Sequence, residues 1–368
     1  MALSLPRSRA VMLLLAVAGV LLTFASSAMA RPDRGVLYTQ TNDPAGNAVQ
    51  RFDRAPDGSL RAAGTFRTGG AGLADLGGRQ GAVELSGDGR YLYAVNAGSN
   101  SVSVFRNDHR RAKLIDVVSS RGVAPASVAE YRGRVYVLNT GGTPSVSAYV
   151  RWFDGSLKPL PGGTRALAPG ADGAAQVSVT PRGDALVVSE RLSNRLETLP
   201  LDRSGRPGAP VVTASSGAVP FGFAITQRGT IVVSEAGATA VSSYRLGSRG
   251  RLRTITGSLA VGQGGVCWVA VSPSGKLAYT GNASGSISGF AINRDETLRA
   301  LTADGISAAL PAARDLDFDR SGRFLYAISQ GSETSPGQVQ SYRVGRDGSL
   351  KPAGAAPAAA GITGAAGL

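Results

Sequence analysis

The chain repeats one two-strand unit seven times, and this repeat constrains the fold more than any other feature of the sequence. Each copy places a short polar turn between two apolar segments. The second segment passes through an equivalent position in every copy, and the seven residues at that position are Tyr38, Tyr93, Val137, Val188, Val233, Tyr279 and Tyr326. These residues lie 44 to 55 positions apart, and a period of that length built from strands is typical of propeller blades.

Each copy predicts four antiparallel strands. In the sixth copy, alternation of apolar with small or polar residues predicts strands at Val266–Ser272, Lys276–Thr280 and Ser286–Ile292. A second turn then leads to an outer strand, and three copies spell this turn Asp-Gly-Ser-Leu, starting at Asp57, Asp154 and Asp347. Asp-Gly suits a tight hairpin. The sequence therefore predicts an all-β, seven-bladed propeller with four antiparallel strands per blade.

The first copy lacks the first strand that the other copies have, since its apolar residues begin at Val36. The C-terminal segment Ala359–Leu368 follows the last outer strand and has the small residues typical of first strands here. We expect this segment to join the first copy and close the ring, because closure removes exposed sheet edges. The alternative is an Ala/Gly tail with no fixed structure.

The N-terminal 30 residues have the pattern of a secretory signal peptide. Arg7 and Arg9 precede an apolar run at Val11–Phe24, and small residues at Ala28–Ala30 fit a cleavage site. A membrane anchor is the alternative, but the apolar run is shorter than the ~20 residues that a spanning helix needs. We therefore expect residues 1–30 to be removed and residues 31–368 to form one secreted or periplasmic domain, acting as a monomer.

Charge and rare residues exclude several classes of function. The formal net charge is +14, yet the arginines are scattered through turns and no basic run carries stacking aromatics, so nucleic acid is not the expected partner. A small anion remains a suitable one. Cys267 and His109 are the only residues of their types, so neither a disulfide nor a zinc site is expected, and no cofactor is implied.

Three segments resemble the lactonase-like seven-bladed propellers of the 6-phosphogluconolactonase and carboxymuconate lactonizing enzyme type, whose blades share a pattern with YVTN repeats. The segments are ARDLDFDRSGRFLYAISQ (313–330), AAQVSVTPRGDALVVSE (174–190) and VPFGFAITQRGTIVVSEA (219–236). The family typically reads Pro-Arg-Asp in the first segment, and Arg314 and Asp315 match it. In the second, the family reads Pro-Arg-His with a closing glutamate. Glu190 matches, whereas Gln176 replaces the histidine to which catalysis is usually attributed.

Antiparallel first and second strands bring the start of one beside the end of the other, so both open on one mouth of the central channel. First-strand starts offer Gln176, Phe221, Cys267, Trp268, Arg314 and Asp315. Second-strand ends offer Asn96, Asn139, Glu190, Glu235 and Asn282. A concave mouth lined by polar groups is a usual place for a small ligand. We therefore expect a small ligand to bind at this mouth.

Within this mouth, Arg314 suits an anionic group because its planar fork can hold a carboxylate or phosphate with two hydrogen bonds. Glu190 could accept a proton from water that attacks an ester. Structural alternatives are that Arg314 pairs with Asp315 or Asp317, and that the glutamates cap loops. Cys267 is interpreted as a packed thiol. The three aspartates Asp315, Asp317 and Asp319 lack the glutamate of a calcium loop.

Three functions fit these residues. The preferred one is an exported propeller that binds a small anionic or polyhydroxy ligand at the mouth. The second is a hydrolase of a small sugar-acid or muconate-type lactone, which the family resemblance implies, with Glu190 as base. The third is a cell-envelope module that contacts protein or polysaccharide through its loops. Replacement of the family histidine by Gln176 favours binding.

Overall fold

A computed structural model describes Met1 and residues 34–73, 80–108, 111–331 and 336–368. The expected signal peptide, apart from Met1, and His109 lie outside the described residues. Strands form four-stranded antiparallel sheets, and one of these sheets carries an extra short strand. The described residues contain no helix with the length and apolarity to cross a membrane.

The first four blades follow one another along the chain. Blade 1 contains β1 (Gly35–Gln40), β2 (Ala48–Arg54) and β3 (Leu60–Arg67). Blade 2 contains β4 (Val83–Leu85), β5 (Tyr91–Asn96), β6 (Ser101–Asn107) and β7 (Ala112–Ser119). Blade 3 contains β8 (Val123–Tyr131), β9 (Arg134–Gly141), β10 (Ser145–Arg151) and β11 (Leu157–Ala166). Blade 4 contains β12 (Ala174–Val179), β13 (Ala185–Glu190), β14 (Arg195–Pro200) and β15 (Val211–Ala214).

The last three blades complete the set. Blade 5 contains β16 (Pro220–Ile225), β17 (Thr230–Glu235), β18 (Ala240–Leu246) and β19 (Leu252–Ala260), with a 3-10 turn at Ser248–Gly250. Blade 6 contains β20 (Val266–Val271), β21 (Leu277–Asn282), β22 (Ser286–Ile292), β23 (Leu298–Ala300) and β24 (Ala308–Ala309). Blade 7 contains β25 (Ala313–Phe318), β26 (Phe324–Ser329), β27 (Gly337–Val344) and β28 (Leu350–Ala358), after which β29 (Thr363–Gly367) ends the fold.

The ring is closed by the C-terminal strand, as the sequence predicts. β29 pairs antiparallel with β1 through Leu37↔Gly367 and Tyr38↔Ala366. Blade 1 therefore takes its inner strand from the end of the chain and its other three strands from the beginning. This pairing covers the inner edge of β1, which would otherwise be exposed.

The apolar core is divided among the seven contacts between neighbouring blades. Each of seven buried clusters combines side chains of two adjacent blades, including the contact between blade 7 and blade 1 around Tyr326 and Leu37. The predicted repeat residues Tyr93, Val188 and Tyr279 belong to these clusters and are fully buried. Closure of the ring therefore completes the burial of every blade face.

The propeller has two faces, a mouth face and a turn face. First strands begin and second strands end on the mouth face, which carries the ends of β12 and β13 at Ala174 and Glu190. The short turns between first and second strands lie on the turn face, at glycines that include Gly89, Gly183 and Gly275 with φ of 65° to 70°. A positive φ of this size strongly favours glycine.

Candidate functional site

The mouth face carries a row of two arginines and two aromatic rings, contributed by four consecutive blades. The guanidinium of Arg191 lies 5.2 Å from the ring centre of Phe221. That ring packs edge-on against Trp268, with 5.7 Å between the ring centres, and Arg314 lies 5.3 Å from the centre of the Trp268 ring. We call these four side chains the arginine–aromatic row. Arginine over an aromatic face is a favourable arrangement that also fixes the guanidinium in place.

The charges of this row are not neutralised by described carboxylates. Arg314 donates through Nε to the neutral amide of Gln330, and Arg191 donates to the backbone carbonyl of Gly173 over 3.3 Å. Neither arginine makes an ion pair with a described residue. Burial lowers the pKa of Arg314 from its ordinary value, although an arginine stays charged in proteins. The row therefore presents two positive charges at the mouth.

The Cys267 thiol is influenced by the positive charges of both arginines of the row. Burial raises the pKa of its thiol to about 11, and Arg314 and Arg191 oppose this shift with their positive charges. The net result is a thiol that keeps its proton at neutral pH, so it is a poor nucleophile. This geometry favours the packed thiol that the sequence suggests.

The five residues at second-strand ends occupy one equivalent position in their blades. Each faces the start of the third strand across its hairpin, as in Asn96↔Ser101 and Asn282↔Ser286. Their side chains are fully buried, and the five are Asn96, Asn139, Glu190, Glu235 and Asn282. Whether any of them contacts a ligand stays a prediction.

Hydrogen bonds show what holds these residues. Asn96 donates to Ser101 and to Ser103, the latter over 2.7 Å. Asn139 donates to the Ser120 carbonyl on the loop that enters its blade. Glu235 accepts from the backbone N–H of Gly217 over 2.8 Å. These residues therefore bind the third strand of their blade or the loop that enters it. For Glu235 this is the loop-capping role that the sequence suggests as the alternative to ligand binding.

Glu190 belongs to a buried charged group inside blade 4. Its Oε2 accepts from Arg195 Nε over 2.8 Å and from the Ser193 hydroxyl, and Arg195 also contacts Glu197 over 3.1 Å. Burial, followed by the neighbouring Glu190, raises the pKa of Glu197 to about 8. The Glu197 carboxyl therefore holds a proton near neutral pH inside this buried group.

Gln176 and Asp315 bind backbone groups of neighbouring strands. Gln176 donates to the Phe223 carbonyl over 2.8 Å and accepts from the Phe223 N–H over 2.7 Å, joining blades 4 and 5. Asp315 accepts the N–H of Ala365, and Asp317 accepts that of Gly367. Arg314 therefore does not pair with either aspartate. The two aspartates hold the closing strand instead.

Two residues of this region were not predicted from sequence. Arg191 directly follows Glu190, where the strand ends, and only the blade arrangement brings it to Phe221. Gln80 precedes the short strand of blade 2, and its amide exchanges two hydrogen bonds with the backbone of Val269 in blade 6. Gln80 thereby spans the channel between two non-adjacent blades. An arginine after a strand-end glutamate is the signal that could have identified Arg191.

The fold and the mouth define a closed seven-bladed propeller with a cationic opening. The sequence matches the family described as "Lactonase, 7-bladed beta-propeller" over residues 29–137 and 155–269. The chain belongs to this family. No curated protein matches it.

Solved structures with the same fold include proteins named for lactone hydrolysis. A candidate 6-phosphogluconolactonase from Bacteroides uniformis has a TM-score of 0.74 at 18% identity, covering 92% of this chain and 100% of its own. The periplasmic gluconolactonase of Pseudomonas aeruginosa has a TM-score of 0.70 at 17% identity, covering 91% and 99%. A protein from Lactobacillus plantarum has a TM-score of 0.72 at 17% identity, covering 91% and 99%. At these identities the likeness shows the shared fold.

Proposed function

We propose that this lactonase-family propeller is exported and binds a small hydroxylated carboxylate or phosphate at its mouth face. The observation that carries this proposal is the arginine–aromatic row, in which Arg191 and Arg314 flank Phe221 and Trp268 without a described acidic partner. Guanidinium groups bind carboxylate or phosphate oxygens through paired hydrogen bonds. Two of them at one opening favour an anion over a neutral sugar.

The row also lowers the entropic cost of binding. Both arginines are half-buried, and each lies over a buried ring. Arg314 is further held by Gln330. An arginine fixed in this way loses less freedom when it binds an anion. Partial burial also weakens screening by water, which strengthens the attraction.

Titration calorimetry with gluconate, 6-phosphogluconate and glucose tests this proposal. Arg314→Ala should weaken binding of the two anions about tenfold or more, because it removes a charge-assisted pair of hydrogen bonds. Arg191→Ala should act in the same direction. The matched control is Arg132→Ala, since Arg132 also lies over an aromatic ring, that of Tyr131 at 5.3 Å, but in a turn outside the mouth face.

Equal affinity of the native protein for gluconate and glucose would contradict the role of charge. Equal losses in Arg314→Ala and Arg132→Ala would show that the anion binds through general attraction to a basic protein. Unchanged affinity in both mouth variants would place the ligand elsewhere.

Hydrolysis of a small lactone is the second candidate function. It is supported by membership of the lactonase family and by the Glu190–Glu197 pair, since burial and the neighbouring Glu190 raise the pKa of Glu197 to about 8. A carboxyl such as Glu197 that exchanges its proton near neutral pH suits general acid–base chemistry, and Glu190 shares Arg195 with it. Glu190 would need to become accessible to water for this role, because its side chain is fully buried.

A proton-release assay with glucono-δ-lactone separates the two candidates. If Glu190 is the base, Glu190→Gln should lower kcat by ~10²-fold while affinity for gluconate is retained. Glu235→Gln is the matched control, because Glu235 occupies the same position in blade 5. No turnover by the native protein, with gluconate still bound, leaves binding as the function.

Export is tested by the N-terminus of the protein recovered from its native host. The sequence predicts a mature chain that begins at Arg31 in the periplasmic or secreted fraction. Recovery of the full chain from the cytoplasm would contradict export. Ala28 and Ala30 changed to leucine should block cleavage.

A further inference from the structure

The turn face holds a large cleft under blade 1, on the side opposite the mouth. Its volume is about 930 Å³, and it is lined by the start of β1, the end of β2 and the first turns of blades 2 and 7. Pockets of ~300–1,000 Å³ are typical for small ligands. The cleft is therefore large enough for one, and it is distinct from the arginine–aromatic row.

Arginines dominate the walls of this cleft. Three aspartates line it, Asp53, Asp88 and Asp108, against six arginines, which are Arg34, Arg51, Arg54, Arg61, Arg90 and Arg320. Asp53 serves two of the arginines at once, Arg51 over 2.8 Å and Arg61 over 3.3 Å. The aspartates therefore neutralise only part of the positive charge.

Three of the arginines make no ion pair with a residue in the described ranges. They are Arg34, Arg90 and Arg320, and they come from blades 1, 2 and 7 respectively. The Arg320 guanidinium donates to the Gly87 carbonyl over 2.9 Å, which carries it across blade 1 to the first turn of blade 2. The three positive charges thus converge on one cleft from three blades.

The floor of the cleft is rigid. Arg54 is 1% exposed, pairs with Asp319 over 3.2 Å and receives further support from the Tyr326 hydroxyl at 2.9 Å. Its guanidinium lies 4.1 Å from the ring centre of Phe324. A floor fixed by buried contacts holds the surrounding arginines in a defined arrangement, which favours specific binding.

A second cleft on the same face lacks this surplus of unpaired arginines. It lies between the first turns of blades 4 and 5 and has a volume of about 190 Å³. Two of its three arginines are paired, Arg182 with Asp184 and Arg245 with Glu296. The cleft between blades 4 and 5 therefore has one arginine without an ion pair to a described residue, whereas the blade 1 cleft has three.

We propose that the blade 1 cleft binds a small polyanion, a molecule that carries two or more phosphate or carboxylate groups. Three arginines from three blades can each hold one group, since guanidinium pairs with such oxygens through two hydrogen bonds. A single phosphate would reach only part of the set. Affinity should therefore rise with the number of linked anionic groups.

The test is calorimetric titration of the full mature chain with orthophosphate, pyrophosphate and tripolyphosphate. It is performed on Arg314→Ala so that the mouth contributes little. We expect affinity to increase at least tenfold from orthophosphate to tripolyphosphate and to fall as salt is added. Arg90→Glu should lower tripolyphosphate affinity about tenfold or more, with an unchanged fold because the side chain is exposed.

The matched control is Lys276→Glu. Lys276 directly follows the turn glycine Gly275, as Arg90 follows Gly89, and it is exposed on the same face outside the cleft. Its substitution should leave affinity within twofold. Equal losses in the two variants, or equal affinity for the three phosphates, would overturn the proposal.

Vesicles distinguish a soluble polyanion from an anionic surface. Phosphatidylglycerol vesicles, compared with phosphatidylcholine vesicles, are sedimented with the same two variants. Binding to phosphatidylglycerol that depends on Arg90, without binding of tripolyphosphate, would overturn the small-ligand proposal in favour of a membrane surface. Binding of tripolyphosphate that depends on Arg90 supports it.

Discussion

The mouth face and the turn face both expose arginines, but they support those arginines differently. At the mouth, Arg191 and Arg314 lie against aromatic rings and neutral hydrogen-bond acceptors. At the turn face, Arg54 and Arg51 are fixed by aspartates, and further arginines surround them. The charges of Arg191 and Arg314 stay available to a ligand, whereas the ion pairs of Arg51 and Arg54 neutralise those two arginines and stabilise the fold.

A polar residue near the channel does not by itself mark a ligand contact. Asn96 and Glu190 end equivalent strands at the mouth, yet both are fully buried and bind their own third strand. Arg314 begins a first strand on the same face and remains half-exposed. The direction of the side chain relative to the blade separates the two cases.

The two faces share one element, β29, and its removal should have the largest effect. Deleting Ala359–Leu368 should lower the free energy of unfolding by more than about 5 kcal/mol or prevent soluble expression, because blade 1 loses its inner strand and exposes its edge. Asp315 and Asp317 would also lose the N–H groups that they accept. Chemical denaturation measures this change.

Adding a synthetic peptide of residues 359–368 is the control for this deletion. It should restore part of the lost stability, since the missing strand can add to β1. A deletion variant that unfolds at the same denaturant concentration as the full chain would show that the ring does not depend on β29.

Substituting one arginine on each face should give the next largest difference. Arg54→Ala should destabilise by about 3 kcal/mol or more, because it leaves Asp319, which is 2% exposed, without the partner seen in the structure. Arg314→Ala breaks no ion pair with a described residue, so its stability should change by less than about 1 kcal/mol. Equal destabilisation by the two substitutions would remove the distinction between the faces.

The fold was predictable because each blade repeats the same local pattern of strands and turns in the sequence. The strands of the sixth copy agree with the structure within two residues at each boundary, and the closing strand at Ala359–Leu368 is confirmed. The site was less predictable because it depends on contacts between blades. Arg191 of blade 4 contacts Phe221 of the adjacent blade 5, and Gln80 binds Val269 on the other side of the channel. No local sequence pattern fixes such distances.

The carboxyls of Asp315 and Asp317, which hold the closing strand, predict a pH dependence of smaller size. Burial raises the pKa of Asp315 to about 8 and that of Asp317 to about 7, while both titrate near 4 in an unfolded chain. The native state therefore holds protons that the unfolded state releases between pH 4 and 8. The stability that these two carboxyls contribute is full below about pH 4 and is lost as pH rises through 7 to 8.

Melting curves between pH 5 and pH 8.5 measure this loss. We expect Tm to fall by a few degrees over the interval and to level off above it. Asp315→Asn should reduce the slope, since the amide oxygen still accepts the Ala365 N–H but no longer titrates. A Tm that rises over this interval would contradict the assigned direction.

The smallest effect should come from Cys267 at the mouth. Cys267→Ser should lower stability by about 1 kcal/mol, because a hydroxyl replaces a thiol in a largely buried place. Gluconate affinity should stay within twofold, since burial keeps the thiol protonated with a pKa of about 11. Loss of ligand binding in a folded Cys267→Ser protein would give the thiol a direct role.

The most direct measurement is a crystal structure of the mature protein soaked with gluconate. The proposed function predicts the carboxylate within hydrogen-bond distance of Arg314 or Arg191, beside Cys267 on the mouth face. It also predicts that Arg314→Ala crystals soaked in the same way lose this density. Gluconate bound only in the blade 1 cleft of the turn face, with the arginine–aromatic row empty, would contradict the assignment of the mouth as the ligand site.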